Sequence, residues 1–332
     1  MKKIYLLITA LLFVMGTAFA QPDNKSKIQV SDNSSDNTVT VKQDQDGNEV
    51  NSSKVSITEF SDLNDVDVDQ DGENQKSEVT IREGFANSVD VEQDEEDNRS
   101  KVNIDFSGFN EVDVDQESED NRSNVNITDL SDGNTVDVYQ AGDGSHTSKV
   151  DIVNFSGDNT VEVEQRGEDQ KSVVAISNAG DFNDVDVYQN GEDNESYVSI
   201  DDQNLENEVD VTQNGEDNDS DVTIDNNNSY NEVEVEQEGD DNESEVSISN
   251  FSDGNTVDVD QDGDDLESEV SIDEDSDGNW VEIDQDGEDH ESFVDIYEGS
   301  DNTVEVSQHG DYSTSDVTIF DSNGNDVDVS QK

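Results

Sequence analysis

Apolar residues in this chain keep a two-residue period that restarts every 23 to 25 positions. In Asn64-Asp65-Val66-Asp67-Val68-Asp69-Gln70 every second residue is aliphatic or an amide, and each residue between is acidic. That alternation predicts a strand with one buried face. Asp71-Gly72-Glu73-Asn74 then carries turn chemistry, and Ser77, Val79 and Ile81 form the inward set of a second strand, with Glu78 and Thr80 outside. The same frame returns as Asn183-Val185-Val187-Gln189 with Ser196-Val198-Ile200, and as Asn279-Val281-Ile283-Gln285 with Ser292-Val294-Ile296. The turn between repeats often holds an aromatic or a Leu near a Ser-Asp/Gly pair (Phe60, Phe106, Leu130, Phe155, Phe251), expected to plug the corner.

A repeat this short cannot bury a hydrophobic face alone, so copies must stack. The predicted fold is all-β: a β-solenoid of about 13 strand-turn-strand coils with turns of roughly five residues. Its two facing sheets are parallel and in register, with strands about 4.8 Å apart and sheets about 10 Å apart, making a rod about 60 Å long. Stacking places like on like. One inward column is Asn64, Asn87, Asn110, Asn134, Asn159, Asn183, Asn207, Asn231, Asn255, Asn279, Asn302 and Asn325. The other is Gln70, Gln93, Gln116, Gln140, Gln165, Gln189, Gln213, Gln237, Gln261, Gln285, Gln308 and Gln331. Both are expected to form amide ladders, which satisfy buried amides and penalise register slips. The role assigned to these 24 residues is structural, serving self-assembly. The pattern opens on Ser26-x-Ile28-x-Val30 and closes on Asn325-x-Val327-x-Val329-x-Gln331 with no atypical capping repeat, so copies are expected to join end to end.

Residues 1–20 stand apart. Lys2 and Lys3, an apolar run from Ile4 to Met15, and Ala18-Phe19-Ala20 before Gln21 predict a bacterial secretory signal peptide, too short for a membrane span. Residues 21–332 then form one array. Removing the leader takes away two lysines and no acid, so the formal charge moves from −74 to −76. Such acidity disfavours nucleic acid and anionic membranes and favours cations and high salt. Without cysteine, no disulfide staples the chain. A hydrophobic content of 28% at this charge is also the composition of disordered chains. A subunit unfolded on export and ordered on assembly reconciles the two signals.

Several motifs compete for attention. Asp67-x-Asp69-x-Asp71-Gly72 with Glu78, and Asp258-x-Asp260-x-Asp262-Gly263 with Glu269, satisfy the EF-hand loop pattern. That loop needs flanking helices, whereas these acids are outward strand positions in an alternating frame. Acidic ladders and Asp-Gly-Glu-Asp turns are compatible with weak, distributed calcium binding; no other cofactor and no discrete metal site is expected. His146, His290 and His309 lack a Cys or His neighbour and read as solvated turn residues. No Ser has a recurrent His and acid partner, so catalysis is not expected.

The stretch Gln189-Asn190-Gly191-Glu192-Asp193-Asn194-Glu195-Ser196-Tyr197-Val198, echoed at Gln213-x-Gly215-x-x-Asn218 and Gln237-x-Gly239-x-x-Asn242, resembles the curlin repeat. The likeness extends over about residues 22 to 331. It implies a secreted subunit of curli-like amyloid fibres, exported largely unfolded through an outer-membrane pore and polymerised at the cell surface by a nucleator subunit. Such fibres serve biofilm matrix and adhesion. The chain departs from the family: Asn replaces its first Ser, Ser its Ala, and Ile its last inward Gln, leaving one glutamine ladder. Asn gives way to His146, Gln170, Leu266, His290 and Ser313, and Gly to Glu95 and Ser118. The alternative, from another class, is a monomeric acidic β-solenoid binding calcium, a mineral surface or a glycan on its flat faces. Stacked acids about 4.8 Å apart repel by about 0.9 kcal/mol per pair in water, so folding and assembly are expected to strengthen with salt.

Overall fold

The computed structural model describes residues 24–44 and 50–332; the leader expected at residues 1–20 lies outside them. The described chain is 26 strands in two parallel sheets of 13. Each strand pairs only with its equivalents in the coils before and after it, so the chain alternates between sheets at every connection. One sheet, from Thr38–Asp44 to Asp326–Gln331, holds the Val-x-Val-x-Gln strands; we call it the glutamine sheet. The other, from Lys25–Val30 to Thr314–Phe320, holds the Ser-x-Val-x-Ile strands and is the serine sheet. Register is exact in sequence: Gln165 sits on Gln189 and Gln189 on Gln213, as Ile176 sits on Ile200 and Ile200 on Ile224.

Alternation explains the core. Val185, Val187, Val198 and Ile200 are fully buried, and equivalent Val and Ile residues of every coil join them in one continuous seam between the sheets. Each such side chain contributes about 1.5–3 kcal/mol when buried. The residues between them face solvent.

The two connections differ from the equal turns of roughly five residues that the repeat predicts. In most coils the strand runs on through Gln-x-Gly, as in Asp184–Glu192, and only residues 193 and 194 lie between it and Glu195–Asp201. In most of these strands glycine leaves room for the next coil, since a Cβ at Gly191 would lie 1.9 Å from the Gly215 oxygen; in Ser88–Glu96 Glu95 takes the position with a left-handed φ. Where Ser118 replaces glycine, the strand stops at Gln116. The return connection has seven residues in the first coil and five or six in the others. Six-residue returns open on two successive residues in the left-handed region and carry a third before the strand, such as Asp202, Gln203 and Glu206; five-residue returns open on one and carry a second, such as Glu83 and Ala86.

That backbone overturns the expected corner plugs. Phe60, Phe106, Leu130, Phe155 and Phe251 all have positive φ, which turns their side chains outward, and they are 37% to 69% exposed. The corner is filled instead by the residue that follows: Ser61, Ser107, Ser131, Ser156 and Ser252 are buried.

Two glycines should respond differently to alanine. Gly215→Ala drives a methyl to 1.8 Å from the Gly239 oxygen, whereas a Cβ at Gly254 meets nothing within 4 Å. Overpacking should cost Gly215→Ala about 1–3 kcal/mol beyond its left-handed backbone penalty. Gly254→Ala should lose no more than about 1 kcal/mol. Urea midpoints of the two variants compare them directly.

Candidate functional site: the stacked amide columns and the acidic face

The candidate site is a set of columns running the length of the rod. Gln70 through Gln308 are fully buried and stacked. Gln189 Nε2 donates to Gln213 Oε1 at 2.8 Å, and Gln213 Nε2 to Gln237 Oε1 at 2.9 Å. The second amide hydrogen goes across the coil, from Gln189 Nε2 to the Lys171 and Asn194 carbonyls at 3.0 and 3.1 Å. The column begins at Gln43, which donates to Gln70, and reaches Gln331, which accepts from Gln308 and is partly exposed.

The asparagine column bonds in the opposite direction. The Asn207 backbone N–H and Nδ2 both donate to Asn183 Oδ1, at 3.1 and 3.0 Å. The same pair of bonds links Asn64 to Asn37, Asn231 to Asn207, and Asn325 to Asn302. Between side chains of a column, glutamine therefore donates toward the C-terminal coils and asparagine toward the N-terminal coils, while asparagine Nδ2 groups such as those of Asn87 and Asn159 also reach a backbone carbonyl of the next coil.

A third polar column, read from the sequence only as turn chemistry, lies at the short connection. It contains Asn51, Gln75, Asn98, Asn121, His146, Gln170, Asn194, Asn218, Asn242, Leu266 and His290, all buried. Asn218 N–H and Nδ2 donate to Asn194 Oδ1 at 3.0 Å each, while Asn218 Nδ2 also reaches the Gly239 carbonyl at 2.9 Å. Its signal was the Asn of Gln-x-Gly-x-x-Asn. This column corrects the expectation of solvated histidines: His146 and His290 replace the asparagine and do its work. His146 Nδ1 accepts the Gln170 N–H at 3.3 Å and His290 Nδ1 accepts the Ser313 N–H at 3.1 Å. Burial holds the His146 pKa below the usual histidine value. His309 is half-buried beside Ser307 on the outer face.

Beside these satisfied columns stands one that is not. The Oγ atoms of Ser172, Ser196, Ser220, Ser244 and their equivalents in the serine sheet are buried without a hydrogen bond to the protein.

The outward face of the glutamine sheet is a wall of carboxylates. Its middle column stacks Asp186 on Glu162 and Asp210 on Asp186 in direct register. Partial burial between neighbouring side chains, then the charges of those neighbours, raises Asp115 to about 7 and Asp186 and Asp260 to about 6. The same causes raise Asp90, Asp113 and Asp258. The acids of both EF-hand-like segments are split between the sheets: Asp67, Asp69 and Asp71, and Asp258, Asp260 and Asp262, lie in glutamine-sheet strands, whereas Glu78 and Glu269 lie in serine-sheet strands. Elsewhere, carboxylates of Asp201, Asp202 and Asp225 lie within 4.8 Å of one another, with Asp201 accepting from Ser177 Oγ and from Asn178 Nδ2 at 2.6 Å. No helix among the described residues is long and apolar enough to cross a membrane.

This architecture is that of a two-sheet parallel β-solenoid. Residues 230–263 and 277–310 match the sequence profile of the Curlin associated repeat, so these two segments carry that repeat. Each match spans a glutamine-sheet strand, the following serine-sheet strand and the next glutamine-sheet strand. No curated protein matches the chain.

Two outcomes follow. Gln213→Leu strands the Gln189 donor and the Gln237 acceptor, and each orphaned buried group should cost about 1–3 kcal/mol. Ser220→Ala removes a hydroxyl that has no protein partner, so it should be neutral or stabilising. Urea midpoints of the two variants should move in opposite directions or differ by that margin. The raised carboxyl pKa values set the pH dependence. A carboxyl with a folded pKa near 6 or 7 and an unfolded value of about 3.9 binds more protons when folded, so its stabilising contribution is complete below the unfolded value and lost as pH rises through the folded one. Thermal midpoints should therefore rise on acidification from pH 8 to pH 5.

Proposed function

We propose that this chain is a secreted structural subunit that self-assembles into curli-like amyloid fibres of the extracellular matrix, serving biofilm and surface adhesion. One observation carries the reading: the surface by which coil stacks on coil is repeated and directional. Every coil offers glutamine donors and an asparagine acceptor on one side, with the converse on the other. A coil of a second chain meets those groups as the next coil of the same chain does, provided both point the same way. Open strand edges recruit strands by this chemistry. The curlin-type repeats support the same reading, and by that resemblance an outer-membrane pore and a nucleator subunit complete the route. Catalysis has no part in it.

The carboxylate wall sets the conditions. The Debye length falls from about 8 Å at physiological ionic strength to about 3 Å at 1 M, so only concentrated salt strongly screens neighbours about 4.8 Å apart. Divalent cations would act at lower concentration by bridging stacked carboxylates. The yield of dye-binding fibres with a 4.8 Å meridional reflection should rise steeply from dilute buffer to molar NaCl. Yield falling with salt would refute the salt dependence. Monodisperse rods at every salt would replace the fibre with a monomeric acidic solenoid that binds calcium, mineral or glycan surfaces.

A further inference from the structure

Cations are scarce in this chain, and they are not scattered. Nine of the 15 lysines and arginines occupy the first or third position of serine-sheet strands between Lys25 and Lys171. Both positions point outward. In the first-position column Lys76 pairs in register with Arg99, and Arg99 with Arg122. Like charges stacked this closely repel. Lys76, Arg99, Lys101 and Arg122 nonetheless make no direct ion pair among the described residues, and all four are exposed. They border a groove of about 480 Å³.

Beyond Lys171 the same columns change sign. The first-position column continues as Glu195, Asp219, Glu243, Glu267 and Glu291, all exposed. The third-position column, which holds Lys54, Lys101 and Lys149 in the early coils with Glu78 between the first two and Asn124 between the last two, continues through Asp221, Glu245 and Glu269. The fifth position stays small and mostly uncharged throughout, as at Thr80, Asn103, Ala175, Ser199 and Ser247, and the bulky residues at the third position of this face are Tyr197 and Phe293. The opposite face of the rod has no such division: the middle column of the glutamine sheet is acidic from Asp67 to Asp328.

We propose that the outward face of the serine sheet pairs two copies of this chain, antiparallel, with the basic half of each against the acidic half of the other. A two-fold axis along the strand direction, between the coils of Lys171 and Glu195, achieves this and is self-complementary, as a two-fold interface must be. Counting coils outward from that axis sets Lys171 opposite Glu195 of the second copy, Arg122 opposite Glu243, Arg99 opposite Glu267 and Lys76 opposite Glu291. In the third-position column it sets Lys149 opposite Asp221, Lys101 opposite Glu269 and Lys54 opposite Asp316, with Val173 against Tyr197 at the centre. Seven opposite-charge pairs occur in each half with one shift of register. A parallel pairing would face like with like. Lateral pairing is independent of end-to-end growth, and salt acts on it in the opposite sense: complementary charges across an interface are screened, not relieved.

Sedimentation of the chain from Gln21 onward tests this, at the lowest salt where β-sheet circular dichroism is complete and again in molar NaCl. A dimer at the lower salt, weakened at least tenfold at the higher, is expected. Lys76→Glu with Arg99→Glu and Arg122→Glu should abolish the dimer without changing the dichroism. Adding Glu243→Lys, Glu267→Lys and Glu291→Lys to the same chain inverts both halves and should restore it. Monomers at every salt, a dimer strengthened by salt, or no rescue in the sixfold variant would overturn the proposal. So would saturable polyphosphate binding by a wild-type chain that stays monomeric, which would assign the basic half to a polyanion. Dye-positive fibres without lateral pairs remove this inference alone; lateral pairs without fibres remove the fibre reading alone.

Discussion

In-register stacking forces each residue to tolerate a copy of itself directly above and below, and every other feature of the molecule answers to that constraint. Valine and isoleucine meet it by packing on their own kind. Asparagine and glutamine meet it because an amide is both donor and acceptor, so a column of identical amides can satisfy itself. Glycine meets it at the short connection because one backbone passes within bonding range of where the next coil's Cβ would be. Aspartate meets it worst. Protonation, counterions or salt must relieve what like charges impose, and partial burial together with those neighbours raises the pKa values of Asp115, Asp186 and Asp260.

The same constraint explains how much was legible in the sequence. Two-residue alternation and a repeat of nearly fixed length specify strands, inward faces and stacking, because a single-residue slip would turn every valine outward. What sequence reasoning missed sits at the connections, where alternation gives no guidance. Phe60 and Phe155 are large and apolar, which argues for burial, but a left-handed backbone decides their direction and cannot be inferred from hydropathy. Ser61 and Ser156 look like surface residues and are buried. His146 and His290 look like turn residues because their neighbours are Asp, Gly and Glu; only the positions of Asn121 and Asn194 in the same column reveal that the side chain must point inward.

The two faces of the rod are chemically distinct although one alternating rule generates both. On the glutamine sheet the middle outward column repeats one charge from Asp67 to Asp328, so neighbouring coils repel along it. On the serine sheet the charge changes sign between Lys171 and Glu195, and those two residues form an ion pair at 2.6 Å where the halves meet. A repeat unit copied without divergence could not produce such a boundary, because it depends on which coil a residue belongs to.

From Gln70 onward coil length varies by a residue or two, yet the columns stay aligned. Most of that variation is taken up in the return connection, where an additional left-handed residue accompanies each six-residue loop. The remaining case lies between Gln140 and Thr147, where the strand ends early at Ala141. Because the correction is local, gene duplication or loss of one complete winding leaves its neighbours with the contacts they had. The molecule can thus change its reach in steps of a single strand spacing, with no other part of the sequence having to adapt.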